Sequence, residues 1–300
     1  KKLRQEGIRS FYLRSKASGV SGALGGDMEG TQIHEPSDLK KLLKGVDHDT
    51  DFLFNSGMST PGLLAMLMNH DNEIKASFIF DPFRFIAERG KWPLPLERFK
   101  KLLSELSDLN GYRTLCADVL FYHHCGATIV QELGLMLATA SEYFAHSENA
   151  EATSSSFFTR MSAGPLYFPE IAKFRAARLL WPRLLKAYGL DESTPLHIVA
   201  ETTPTNKTIT DTYNNLLRTN TEAMSAVIGG ADQVLIHPYN QLIKKDDPFA
   251  LRLARNMHRI LREESHFEKV EDPSAGSYYL EQLTDTVAKE AWKFFQTIEN

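Results

Sequence analysis

Short runs rich in β-branched and aromatic residues recur along this chain, and each ends on side chains that bind anions or move protons. Ile8–Leu13 ends in Arg14, Asp51–Phe54 in Asn55-Ser56, and Ala76–Phe80 in Asp81. Leu115–Phe121 leads to Tyr122-His123-His124, Ser155–Thr159 to Arg160 and Ser162, Leu196–Ala200 to Glu201-Thr202-Thr203, and Gln233–Ile236 to His237. Any one of these would be an ordinary capping or solvated residue; together they make a polar cup. Arginine presents a planar fork that fits phosphate or carboxylate, and histidine transfers protons or hydrogen-bonds a carbonyl. The cup therefore suits an anionic, carbonyl-bearing ligand such as an acyl-CoA or a sugar phosphate. A metal is not expected: His123 and His124, as neighbours on a strand, would point to opposite faces, and no HExxH spacing accompanies them. Cys125 has no fixed histidine and asparagine signature around it, so it reads as a small buried residue.

Such a cup needs elements that bring the strand ends to one side. The runs are nearly continuous in hydrophobicity, as in parallel strands covered on both faces. Between them lie stretches with helical spacing: Val130–Phe144, Pro169–Tyr188, Asp211–Ile228, Pro248–Glu264 and Leu280–Glu299. Repeated strand-then-helix order means right-handed parallel crossovers. A closed (β/α)8 barrel and an open doubly wound sheet both fit that order. Gly19–Gly30 contains several glycines but no GxGxxG fingerprint, and reads as a flexible loop. The expectation is a TIM-type α/β barrel over residues 1–300 as one domain, with its first strand preceding residue 1. The charged start Lys1–Glu6 reads as the tail of a helix. In such barrels, function sits at the C-terminal strand ends.

Composition narrows the partners. A formal net charge of −4 argues against nucleic acid or an anionic membrane surface as the main partner. No apolar stretch approaches the roughly 18 residues that span a bilayer, and the charged start lacks the apolar core of a secretion signal. The two cysteines, Cys116 and Cys125, suit a reducing compartment. The expected setting is cytoplasmic.

Ordered motifs then carry a resemblance. Tyr213-Asn214-Asn215-Leu216-Leu217-Arg218-Thr219-Asn220-Thr221-Glu222-Ala223-Met224 is followed by Gly229-Gly230-Ala231-Asp232, Arg252-Leu253-Ala254-Arg255-Asn256 and Asp272-Pro273-Ser274-Ala275-Gly276. Upstream stand Gly126-Ala127-Thr128, Gln131-Glu132-Leu133, Arg160-Met161-Ser162 and Glu170-Ile171-Ala172-Lys173-Phe174-Arg175-Ala176-Ala177-Arg178. From about Asp51 onward this pattern resembles the cobalamin-dependent acyl-CoA mutases, and within them the small subunits of methylmalonyl-CoA mutases. The resemblance implies radical interconversion of methylmalonyl-CoA and succinyl-CoA with adenosylcobalamin, in which the barrel excludes water and the cofactor supplies the chemistry. It places Arg160 and Ser162 on positions that contact CoA. Arg89 falls on a position serving substrate and cofactor, and Glu222 on one near the corrin. Tyr122-His123 resembles the Gly-Tyr-His of the catalytic chains, which makes His123 the candidate catalytic residue.

The departures decide the expected role. Catalytic chains of the family carry Thr-Ile-Gln-Asn-Asp at one strand end; here the run is Ser77-Phe78-Ile79-Phe80-Asp81, so Ile79 replaces an amide donor. The link from Tyr122-His123 to Gly126-Ala127 is about two residues shorter than in those chains, and a preorganised site tolerates displacements of only about 0.5 Å. The family's N-terminal tyrosine segment and C-terminal cobalamin-binding domain are not in this sequence. The expectation is a heterodimer's small, non-catalytic subunit that supports a catalytic large subunit. An active acyl-CoA mutase barrel and a CoA-binding module without turnover are the alternatives, kept open by Arg89, Arg160 and Ser162.

Overall fold

A computed structural model describes residues 10–14, 30–46, 49–69, 74–109, 111–244 and 247–300. The expected Gly19–Gly30 loop, apart from Gly30, and the expected helix tail at Lys1–Glu6 lie outside them. The chain divides into two compact units, Lys1–Asp118 with Glu142–Phe158, and Val119–Ser141 with Thr159–Asn300.

In the first unit, strands β1 (Ser10–Arg14), β2 (Asp51–Asn55), β3 (Lys75–Phe78) and β4 (Tyr112–Arg113) form a sheet in that order. All three pairings are parallel, with Phe11 opposite Phe52, Phe54 opposite Phe78 and Ala76 opposite Tyr112. This register lines up an aromatic ladder: Phe11, Phe52, Phe54, Phe78 and Tyr112 lie 5.3–6.2 Å apart, ring to ring, the spacing at which aromatic pairs attract beyond their burial. Helices α1 (Pro36–Leu43), α2 (Thr60–Met68), α3 (Pro82–Arg89) and α4 (Leu96–Ser107) follow strands or precede them in the βα order. Asp81 caps α3, accepting from the Arg84 amide at 2.9 Å, and Pro82 occupies the first helical position, where no amide is needed.

Strand β4 continues as β5 (Leu115–Asp118) after an interruption at Thr114. The Thr114 amide reaches Ser156 O at 3.1 Å and its hydroxyl reaches Leu106 O at 2.8 Å. The Cys116 amide then bonds Phe80 O at 3.2 Å, so β5 stays beside the exit of β3. With β6 (Phe157–Ala163), β7 (His197–Thr202) and β8 (Gln233–Leu235), β5 forms the second sheet, in the order β5–β6–β7–β8. Mixed α/β architecture with parallel strands is thus present, as the strand-then-helix reading anticipates.

The remaining α-helices among the described residues are α5 (Leu120–His124), α6 (Ile129–His146), α7 (Ala150–Ser156), α8 (Tyr167–Ala187), α9 (Asn214–Ile228), α10 (Pro248–Arg259) and α11 (Tyr278–Glu299). In the second unit α8 is buried on most sides and packs on α9 and α11. Gly229, which closes α9 with an ordinary φ of −73°, is there for closeness. A Cβ at this position would stand 2.8 Å from Phe174 Cβ and 3.0 Å from Ser225 O. Gly229→Ala is expected to destabilise the protein by about 1–3 kcal/mol through overpacking, read as a lower urea midpoint at unchanged slope.

Strand β7 extends past Ala200 to take in Glu201 and Thr202, and two further runs prove to be part strand and part helix. The run Leu115–Phe121 does not stay extended: β5 stops at Asp118, and Val119 turns into α5, with His123 N bonded to Val119 O at 3.2 Å. A short continuous apolar run does not distinguish a buried strand from a buried helical turn, and this one contains both. Ser155–Thr159 is likewise mixed, since α7 runs to Ser156 before β6 begins. Arg160 and Ser162 therefore lie inside β6 rather than beyond its end.

Candidate functional site

The second unit gathers His123, Arg160, Ser162, Glu201, Glu222 and His237 into three largely buried clusters. Arg160 and Ser162 are two apart on β6, so their side chains leave the same face. Arg160 Nε donates to Glu201 Oε2 at 2.8 Å, and its Nη2 donates to the same oxygen. His237 Nε2 donates to the other oxygen, Oε1, at 2.5 Å. Both Arg160 and Glu201 side chains are 7% exposed, while His237 is 25% exposed and forms the outer member. Burial by itself would raise the Glu201 carboxyl, but the Arg160 guanidinium and the His237 ring beside it hold it down at about 2.

The second cluster contains His123, Glu132, Ser162, Glu170 and Lys173. His123 Nδ1 donates to Glu132 Oε1 at 3.0 Å. Ser162 Oγ donates to the Glu132 carboxylate at 2.9 Å and accepts from Lys173 Nζ at 2.7 Å. Lys173 Nζ also reaches Ser162 O at 2.8 Å, Glu132 Oε2 at 3.2 Å and Glu170 Oε2 at 2.7 Å. Lys173 and Glu132 are wholly buried. Burial opposes the charged form of each, yet Lys173 is pushed up by the two carboxylates and Glu132 is pulled down by Lys173 and His123. Gly164, just after β6, makes room for this packing: a Cβ there would lie 2.8 Å from Glu170 Oε1 and 3.5 Å from His123 Cε1. With Nδ1 turned inward to Glu132, His123 presents Nε2 toward Thr205 Oγ1 at 3.5 Å.

In the third cluster Glu222, on α9, takes Lys207 Nζ at 2.5 and 2.7 Å and Asn206 Nδ2 at 2.7 Å. This carboxylate is buried, so a solvent-facing place on its helix is excluded. These bonds tie α9 to the loop that follows β7.

Other residues singled out from the sequence meet different surroundings. His123 and His124 sit on helix α5, not on a strand, so the argument from opposite strand faces does not apply to them. Among the described residues no group of three or more His, Cys, Asp or Glu side chains is placed to hold a metal ion. Cys125 is exposed rather than buried, because it follows the last turn of α5. Arg89, in the first unit, ends α3 with its side chain one-third exposed and Nη2 3.3 Å from Glu88. Asp81, also there, is pushed up to about 7 by burial, against the Arg84 and Asp118 amides that bond its oxygens.

Several motif residues prove to be architectural. Arg178 reaches Gly230 O at 3.1 Å through Nε, Leu196 O at 3.1 Å and Asp232 at 3.0 Å. Asp232 in turn accepts the Ile198 amide at 2.7 Å. Arg175 ties α8 to Asp272 at 3.0 Å and Glu281 at 2.8 Å. Asn215 spans two loops, donating to Thr208 O at 2.8 Å and Tyr239 O at 3.0 Å. Sequence reasoning misses the site roles of Glu132, Glu170, Lys173 and Lys207, and it sees Glu201 only as one polar strand end among several. Glu170 and Lys173 do leave a signal, as charged residues three apart amid the apolar positions Ile171, Phe174 and Ala177. Lys207 leaves none.

Comparison with known proteins adds the family context. A family model described as methylmalonyl-CoA mutase matches residues 15–300. A methylmalonyl-CoA mutase small subunit of Porphyromonas gingivalis is 39% identical over 76% of this chain and 38% of its own length. One of Streptomyces virginiae is 42% identical over 63% of this chain and 31% of its own length. A methylmalonyl-CoA mutase of Rhizobium meliloti is 27% identical over 98% of this chain and 47% of its own length. The chain thus spans less than half the length of these curated relatives.

Proposed function

This chain belongs to the methylmalonyl-CoA mutase family, and from that premise we propose that it is the barrel region of a small subunit that performs no turnover itself. In this reading it pairs with a catalytic large subunit in a cytoplasmic heterodimer that interconverts methylmalonyl-CoA and succinyl-CoA. No described helix is long and apolar enough to cross a membrane. The chain supplies seven strands of a (β/α)8 barrel, β4 and β5 counting as one. Two observations support that arrangement: the unbroken β1–β2–β3–β4 order, and the hydrogen bond that keeps β5 beside the exit of β3.

The observation that carries the non-catalytic reading is the internal commitment of the ligand-binding groups. The Arg160 guanidinium serves Glu201, Ser162 serves Glu132 and Lys173, and His123 serves Glu132 through one ring nitrogen. Ile79, where catalytic chains place an amide, is buried and apolar. A buried carboxylate on an arginine leaves less of its charge for an acyl-CoA.

Adenosylcobalamin, which supplies radical chemistry in this family, does not fit Glu222 of this chain. That carboxylate is buried and engaged by Lys207 and Asn206. The cofactor belongs to the complex in this proposal, with no step assigned to it on this chain.

A second reading, an active mutase barrel, draws on His123, whose Nε2 points to Thr205 Oγ1 at a long 3.5 Å and could hydrogen-bond a thioester carbonyl. Assaying the full-length protein alone for adenosylcobalamin-dependent conversion of methylmalonyl-CoA separates the two. No turnover alone, and turnover after addition of a large subunit, is the expected result. Turnover without a partner would sink the non-catalytic reading.

A further inference from the structure

The Arg160–Glu201–His237 cluster has the form of a receptor already filled. Two guanidinium N–H groups converge on one carboxylate oxygen and an imidazole N–H on the other. Donors from β6 and from just beyond β8 thus surround a carboxylate carried by β7. An arginine fork on a carboxylate is the arrangement by which proteins bind carboxylate ligands. Stability alone does not favour building it inside a protein, because apolar residues of similar volume usually do as well as a buried ion pair. His237 is the most exposed of the three, so the cluster lies beneath the surface on that side.

We propose that Arg160 and His237 form a carboxylate receptor that Glu201 of the same chain occupies, and that Glu201 thereby excludes carboxylate ligands from outside. The idea deepens the non-catalytic reading of the same site and rests on it for the meaning of the exclusion. Glu201 is a specificity-determining residue in this view: its negative charge remains on the receptor throughout the ordinary pH range.

The test is chemical rescue in the full-length protein. Glu201→Ala removes a CH2–COO− unit, for which acetate is the size-matched probe and acetamide its neutral counterpart. Acetate is expected to raise the thermal midpoint of Glu201→Ala saturably, with an apparent affinity about tenfold or more above that of acetamide, the advantage of a charge-assisted bond. Wild-type protein and the Arg160→Met/Glu201→Ala double variant should show no saturable acetate shift. Equal responses to acetate and acetamide, or an equal acetate response in the double variant, would overturn the proposal. Should Glu201→Ala not fold unaided, it is refolded with each probe: recovery with acetate but not acetamide supports the receptor, and recovery with neither or with both overturns it. The turnover assay is independent of these outcomes. Turnover by the chain alone would remove the non-catalytic reading while leaving the acetate result standing, and failed rescue would remove the receptor alone.

Discussion

Lys173→Met should lower the stability of this protein by about 3–5 kcal/mol, the cost of leaving buried carboxylates without their cation. Lys173 has no exposed side-chain surface, and it sits between Glu132 and Glu170, which are 0% and 3% exposed. Removing the ammonium would strand both carboxylates in the interior, with His123 still beside Glu132. It would also take away the donor that holds Ser162 O and Ser162 Oγ. Methionine fills much of the same volume, so lost charge rather than a cavity dominates. The thermal midpoint should fall by on the order of 10 °C for a unit of this size. Adding Glu170→Gln to Lys173→Met should recover part of the loss, because one of the two stranded charges is gone. A double variant no more stable than the single one would show that the ion cluster is not the cause.

The second large effect is expected for Arg160→Met, and it should depend on pH. In the wild-type protein the folded Glu201 carboxyl lies at about 2, below its ordinary value of 4.5. A depressed carboxyl contributes stability that is full above the unfolded value and is lost as pH falls through the folded one. The window is therefore about pH 4.5 down to 2, and the contribution above it is about 3 kcal/mol. Without Arg160 the buried carboxyl loses its first electrostatic support and burial raises it. The variant should be less stable than wild type by about 3 kcal/mol at pH 7, and the gap should narrow as pH drops through 4.5. Urea titrations at pH 7, 5 and 3 measure it; a gap that stays constant with pH would mean that Glu201 is not the group responsible.

The sequence reading and the folded chain agree most where local pattern is enough. Helices α6, α8, α9 and α11 follow apolar spacing over 15–22 residues, and their ends fall within a few residues of those the spacing predicts. Strands β2, β3, β7 and β8 are equally visible, because parallel strands covered on both faces are apolar throughout. Two of the first-unit helices carry no such spacing. Helix α2, Thr-Pro-Gly-Leu-Leu-Ala-Met-Leu-Met, is apolar nearly all round, so it has no face for a periodicity argument to detect. α7 is Ala-Glu-Ala-Thr-Ser-Ser-Ser, whose serines favour caps and turns over helix interiors.

Site residues divide along the same line. Arg160, Ser162, His123 and His237 are legible as residue types because strand ends carry function in such folds and because arginine and histidine have distinctive donor chemistry. Their partners are not legible. Glu132 is thirty positions from Ser162 and Glu201 is forty-one from Arg160, and no local rule connects residues so far apart. Periodicity, turn chemistry and motif order depend on neighbours along the chain, so the βα order and the family can be read there. Whether an arginine is offered to a ligand or spent on a glutamate depends on which strands lie side by side. Packing made that choice, by setting β7 beside β6 and burying Glu201 against Arg160.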